Sequence, residues 1–315
     1  MSEIHIYIII AVFTVIALNS NFFFGKDFQN GVNENNILLV EHLTQFSTKK
    51  KNYRNKPENY SSSGYGINGR KSGNSAFFSY KFPLIDSYES TFSTELNAYN
   101  VSSTVSMFGV KRECFGPIDN EHYGFYSKDV NFLKSNMNKE GFYFESFEEG
   151  KYGLDYNYVI SISTDISGKI ALFLHEQLQR NGKDSYENRV RAALNFVQFI
   201  PYGVPDFDHE EDCYFGLALP HESIAISYSD CDSKSALFAS ILCHLINPKN
   251  VILVGCLIEE GGHMIAGVAG FNFPGQYYKH NGKDFLLIET TIPIPLESQP
   301  SNRFKEIEII PVIQK

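Results

Sequence analysis

Tryptophan is absent from the 315 residues, cysteine is sparse, and basic side chains are outnumbered: 27 Lys and Arg face 36 Asp and Glu, for a net charge of −9. That charge excludes a general nucleic-acid binder, which needs a basic face to neutralise phosphates. The cysteines, Cys114, Cys213, Cys231, Cys243 and Cys256, include no C-x-x-C pair, so their spacing offers no zinc site, and an odd number leaves at least one free thiol. The acidic run Pro205 to Asp212 has calcium-type oxygen ligands but lacks the Gly turn and spacing of an EF-hand, and reads as a solvated loop. No metal and no cofactor is expected. No internal repeat is evident. Without Trp, the 15% aromatic content is all Phe and Tyr beside frequent Asn, Ser and Lys, which a coding bias explains as readily as a binding surface.

What is present supports a globular protein. Hydrophobic residues make up 43% of the chain, enough to core one large or two ordinary domains. At the amino terminus Ile6 to Leu18 is almost wholly apolar, and Ile4 to Phe24 approaches the roughly 20 residues that span a bilayer. The same run fits the h-region of a signal peptide, although no Lys or Arg precedes it and no A-x-A site follows. Residues 1–25 are therefore read as a membrane anchor or signal segment, and the protein as membrane-associated or exported.

Residues 26–75 read as a linker or mobile segment, with a short amphipathic helix over Asn35 to Phe46 and then a Lys-, Asn-, Ser- and Gly-rich stretch from Ser47 to Ser75. Residues 76–163 read as a β-rich accessory region, with strands expected at Phe77 to Phe82, Thr104 to Val110, Phe142 to Phe147 and Tyr156 to Ser163. The texture changes over 164–315. Helical spacing marks Ile170 to Leu178 and Ser185 to Phe199, and a third helix opens at Ser229-Asp230 and stops at Asn247-Pro248. Strands are expected at Val251 to Ile258, His263 to Phe273 and Asp284 to Thr291, with Asn281-Gly282 as a hairpin turn.

Only Cys231 among the cysteines has polar, helix-starting neighbours. A thiol on the first turn of a helix feels the unpaired N–H groups there, which favours its nucleophilic thiolate. A cysteine nucleophile also needs a base and a group to orient that base. His263 at a strand start and Glu289 on the pairing strand can supply both. By the two-residue period Phe285, Leu287 and Glu289 share one face, so the carboxylate sits on an apolar surface where it needs a partner.

These residues carry a family resemblance. Phe196-Val197-Gln198 with Tyr202, Pro220-His221-Glu222-Ser223, Ser229-Asp230-Cys231-Asp232-Ser233-Lys234, Gly262-His263-Met264 with Gly267-Val268, and Glu289-Thr290-Thr291 resemble the transglutaminase-like superfamily, in particular its bacterial membrane-associated or exported cysteine-peptidase members. The resemblance covers Ser185 to Thr291. It implies an α+β fold with a papain-like transglutaminase core, in which the Cys-bearing helix packs on an antiparallel sheet preceded by the β-rich region. It further implies a Cys231, His263, Glu289 triad, acyl transfer through a thioester, and a peptide or protein substrate met outside the cytoplasm. Gln198 resembles the position from which papain-like enzymes supply an oxyanion donor. The chain departs from the family at Ser229, where Gly usually precedes Asp-Cys. That departure, with the unassigned amino-terminal half, leaves a second reading open: an inactive binding or assembly module at the membrane.

Overall fold

A five-stranded antiparallel sheet, a three-stranded antiparallel sheet and the helices between them form the architecture, a mixed α+β arrangement. The computed structural model describes residues 34–49, 65–85, 88–111, 139–146, 151–204, 212–213, 217–259 and 261–313. The amino-terminal segment 1–25, residues 205–211 of the acidic run and Cys114 lie outside the described residues. Among the described residues no helix is long and apolar enough to cross a membrane.

The first helix, α1 (Glu34–Thr44), agrees with the expected amphipathic segment. It buries Leu39, Val40 and Leu43. The smaller sheet follows, with β1 (Ile67–Ser72), β2 (Ser75–Ile85) and β3 (Tyr88–Asn97) in sequential order. Strand β1 falls in the stretch expected to be a linker. It is poor in apolar residues and buries only Ile67, so its own composition gives little reason to fold. What holds it is an antiparallel ladder to β2 that closes at Ser72↔Ser75 around Gly73, which has a φ of 57°.

Two expected strands are helices. Thr104 to Val110 mostly belongs to α2 (Ala98–Met107), where Asn97 accepts a hydrogen bond from the Tyr99 N–H at 3.0 Å. Tyr156 to Ser163 is α3 (Tyr156–Ile162), where the Asp155 carboxylate accepts from the Tyr158 N–H at 3.1 Å. In both, the buried positions are spaced three and four apart: Ala98, Val101 and Val105, then Tyr156, Val159 and Ile160. Capping and that period outweigh the β-preference of individual residues.

Helix α4 (Thr164–Arg180) and helix α5 (Tyr186–Gln198) match the expected helical spacing. The Ser185 hydroxyl caps α5 by accepting from the Asn188 N–H at 3.2 Å. After the short helix α6 (Pro220–Ile226) comes α7 (Cys231–Leu245), buried on nearly every side, as a helix this apolar requires. Two short antiparallel pairs precede the larger sheet in the chain, β4 (Val110–Lys111) with β7 (Asp212–Cys213) and β5 (Phe142–Ser146) with β6 (Lys151–Leu154). Strands β8 (Val251–Ile258), β9 (Gly261–Ala269), β10 (Tyr277–His280), β11 (Lys283–Ile288) and β12 (Lys305–Pro311) form the larger sheet in the order β10-β11-β9-β8-β12. Asn281 and Gly282, with φ of 49° and 76°, make the hairpin turn expected there.

The core is continuous across position 163, where the sequence suggested a boundary: one cluster runs from Val40 through Phe82 and Leu174 to Leu237 and Leu253. Aromatic rings make the join. Phe196 on α5 meets Tyr80, Phe82 and Phe92 of the small sheet edge-on, with centroids 5.0 to 5.5 Å apart, and the Tyr80 hydroxyl donates to the Phe196 carbonyl at 2.9 Å. On the larger sheet the pleat separates two faces. Val251, Leu253, Ala266, Val268, Leu286 and Ile288 join the helical core, while Ile252, Val254, Ile265, Phe285 and Leu287 form a second cluster with Phe304.

Candidate active site

Cys231 is the first residue of α7 and Asp230 is its N-cap, accepting from the Ser233 N–H at 3.2 Å. Ser229 is not the cap. Its hydroxyl donates to the Tyr228 carbonyl at 2.7 Å, and its backbone bridges Tyr202: Gly203 N–H donates to Ser229 O at 3.1 Å and Ser229 N–H donates to Pro201 O at 3.0 Å. The start of α7 docks on β9. Ser235, one turn in, donates to the Met264 carbonyl at 3.0 Å, and the Met264 N–H is directed at the Cys231 thiol.

His263 and Glu289 are brought together as the strand pairing implied. The β9–β11 ladder ends at Ile288↔Ala266, and the next residue, Glu289, reaches the His263 ring. His263 Nε2 lies 3.1 and 2.9 Å from the two carboxylate oxygens. This leaves Nδ1 as the ring nitrogen that the carboxylate does not engage. Among the described residues no hydrogen bond joins that ring directly to the Cys231 thiol.

The Glu289 side chain is wholly buried. Burial would raise its carboxyl, but the facing His263 ring and hydrogen bonds from the Thr291 hydroxyl and N–H outweigh burial and bring it down to about 2. Its backbone is held as well. Glu289 N–H donates to Gln299 Oε1 at 2.8 Å and its carbonyl accepts from Gln198 Nε2 at 2.7 Å. No local pattern points to Gln299, because its role depends on a loop returning to the strand end.

Gln198 differs from expectation for the same reason. Its Nε2 donates both to Glu289 O and, at 3.1 Å, to Ile294 O, and the residue is buried. Both amide hydrogens are thereby used, so it has none to offer an oxyanion. The residue supports Glu289 instead.

Burial pushes the Cys231 thiol well above its ordinary range, and the carboxylates of Asp232, Asp230 and Glu289 push the same way, against the Met264 N–H. The helix start alone would favour the thiolate, but a water-poor, acidic setting opposes it. Burial raises the carboxyls of both Asp230 and Asp232; the neighbouring Asp230 raises Asp232 further, whereas the hydrogen bond from Asp232 acts to lower Asp230, the pattern of a protonated Asp232 facing Asp230. Tyr202, bridged through its backbone to Ser229, feels the same groups. Burial chiefly, then Cys231, Asp230, Asp232 and Glu289, hold its phenol protonated. Cys243 and Cys256 are likewise pushed up, to about 11 and about 12, Cys243 by burial and Cys256 by burial first and then Glu289.

Among the described residues, no group of three or more His, Cys, Asp or Glu is arranged to hold a metal ion. The chemistry available is that of a thiol, an imidazole paired to a carboxylate, and hydroxyl and N–H donors. In comparisons with known proteins, no family model, no curated protein and no solved structure matches the chain.

Proposed function

We propose that the chain is a thiol-dependent amide hydrolase or acyltransferase of the transglutaminase-like class, acting on a peptide or protein as a cysteine peptidase. The observation that carries this reading is the buried His263–Glu289 pair, whose histidine lies on the strand against which the cysteine-bearing helix start docks, through Ser235 and the Met264 carbonyl. Cys231 loses its proton to Nδ1 of His263 and attacks the amide carbonyl. The imidazolium then protonates the leaving amine, and a thioester forms. Water or an amine resolves it, with His263 as base in the second half. Glu289 fixes the tautomer with hydrogen on Nε2 and stabilises the imidazolium. The missing thiol–imidazole hydrogen bond is compatible with this mechanism, because such contacts commonly tighten only when substrate is bound.

With Gln198 committed elsewhere, the oxyanion role passes to Tyr202. Its backbone is bridged to Ser229, two residues before Cys231, and its phenol is kept protonated, so it can donate to a developing oxyanion. The membrane-associated or exported location remains part of the proposal and rests on residues 1–25.

The acidic, buried setting of the thiol favours the second reading, an inactive binding or assembly module. Iodoacetamide separates the two. At pH 6 to 7 an active site requires Cys231 to alkylate faster than Cys243, Cys256 and a model thiol, and to lose that advantage in His263→Ala. Labelling no faster than the model thiol would leave the binding module as the reading.

A further inference from the structure

Lys234 is a lysine with no exposure to solvent, one turn of α7 beyond Cys231. Taking an ammonium out of water costs several kcal/mol, so a buried lysine must be hydrogen-bonded and electrostatically compensated. Its Nζ donates to the Gln198 carbonyl at 3.2 Å and to the Thr291 carbonyl at 3.1 Å. Each acceptor belongs to a residue that itself grips Glu289. Gln198 Nε2 donates to the Glu289 carbonyl at 2.7 Å, while Thr291 N–H and Oγ1 donate to Glu289 Oε1 at 2.9 and 2.6 Å.

We propose that Lys234 is a positioning residue for the thiol site: it locks the helix carrying Cys231 to the two residues that clamp Glu289, and so sets the orientation of His263 relative to the sulfur. The inference rests on the Cys231, His263, Glu289 reading of the site. One ammonium with tetrahedral donors ties α5, α7 and the segment that follows β11 at a single point. An apolar side chain of similar length fills the volume but leaves both carbonyls unpaired and free to shift. Burial lowers the ammonium to about 7 against the opposing carboxylates of Glu289 and Asp230, so the tie carries its charge in acid and loses it as pH rises past neutrality.

The test compares the full chain with Lys234→Met, first checking the fold by circular dichroism. Two readouts follow: the iodoacetamide rate at Cys231 from pH 5 to 10, and the tautomer of His263 from its ring ¹⁵N resonances. The expected result is a rate at pH 7 lowered roughly tenfold or more, as for a displaced catalytic group, and a His263 ring no longer confined to one tautomer. An unchanged pH profile with an unchanged tautomer would overturn the proposal. If wild-type Cys231 reacts no faster than a model thiol, the thiol-site reading fails, and the tautomer readout still decides whether Lys234 orients His263. Should Lys234→Met fail to fold, the ¹³Cε resonance of the lysine titrating near neutrality is followed in wild type and in Glu289→Gln. The midpoint is expected to fall by about one pH unit when the carboxylate goes. A midpoint that does not move overturns the coupling.

Discussion

One nitrogen of His263 faces both oxygens of Glu289, at 3.1 and 2.9 Å, inside a region where the carboxylate has no access to water. A carboxylate placed so can only hold the ring with its other nitrogen turned outward. In Glu289→Gln the amide can donate to the ring and stabilise the wrong tautomer. Turnover of an activated ester such as p-nitrophenyl acetate is expected to fall by roughly 10²- to 10⁴-fold, with circular dichroism unchanged. Ester hydrolysis within a factor of two of wild type would remove Glu289 from the mechanism.

Tyr202 is assigned the oxyanion, and alkylation develops none. Tyr202→Phe is therefore expected to slow ester hydrolysis by about 10²- to 10³-fold while leaving the iodoacetamide rate at Cys231 little altered. Equal losses in both assays would mean that the phenol acts on the thiol itself.

Burial raises both Asp230 and Asp232, and Asp230 raises Asp232 further, so we expect one proton to serve the pair and a single Asn substitution to leave it with one negative charge. Asn also caps helices well, which preserves the start of α7. Asp230→Asn and Asp232→Asn alone are expected to move the pH profile of Cys231 alkylation only slightly. The double variant removes the charge and is expected to lower the midpoint by about one pH unit. A full shift in either single variant would contradict the shared proton.

Acid stability has a definite window. Burial chiefly holds His221 down at about 4, below its ordinary 6.5, against the raising influence of Asp165 and Glu222. A depressed folded value means the unfolded chain binds more protons, so stability present above 6.5 is lost as pH falls through 4. The gap corresponds to about 3 kcal/mol. Glu289, at about 2 against 4.5, extends the same loss below pH 4.5. Urea melts of His221→Leu are expected to show a flatter dependence between pH 4 and 6.5 than wild type, and a parallel dependence would refute the assignment.

The Phe196 ring joins the small sheet to the helical core through Tyr80, Phe82 and Phe92. Phe196→Ala is expected to cost about 3–5 kcal/mol in chemical denaturation. Far-ultraviolet circular dichroism and tyrosine fluorescence should still report one coincident transition, because the core is continuous. Separate transitions would show that the small sheet unfolds independently.

Local pattern in the sequence determined much of the site's scaffold. Helical spacing and caps marked α4, α5 and α7, and Asn281-Gly282 marked the hairpin. Two-residue alternation placed Phe285 and Leu287 on one face with Glu289 continuing it toward His263, since these signals depend on near neighbours in the chain. Tertiary structure alone decided the rest. It made α2 and α3 helices despite their strand-like composition, held β1 through a ladder its own residues do not announce, and joined the small sheet to the core. It also turned Gln198 from an oxyanion donor into a support for Glu289, and brought Lys234, Thr291 and Gln299 around that carboxylate. Those roles are partnerships between distant segments, and burial fixes which partner each polar group must find.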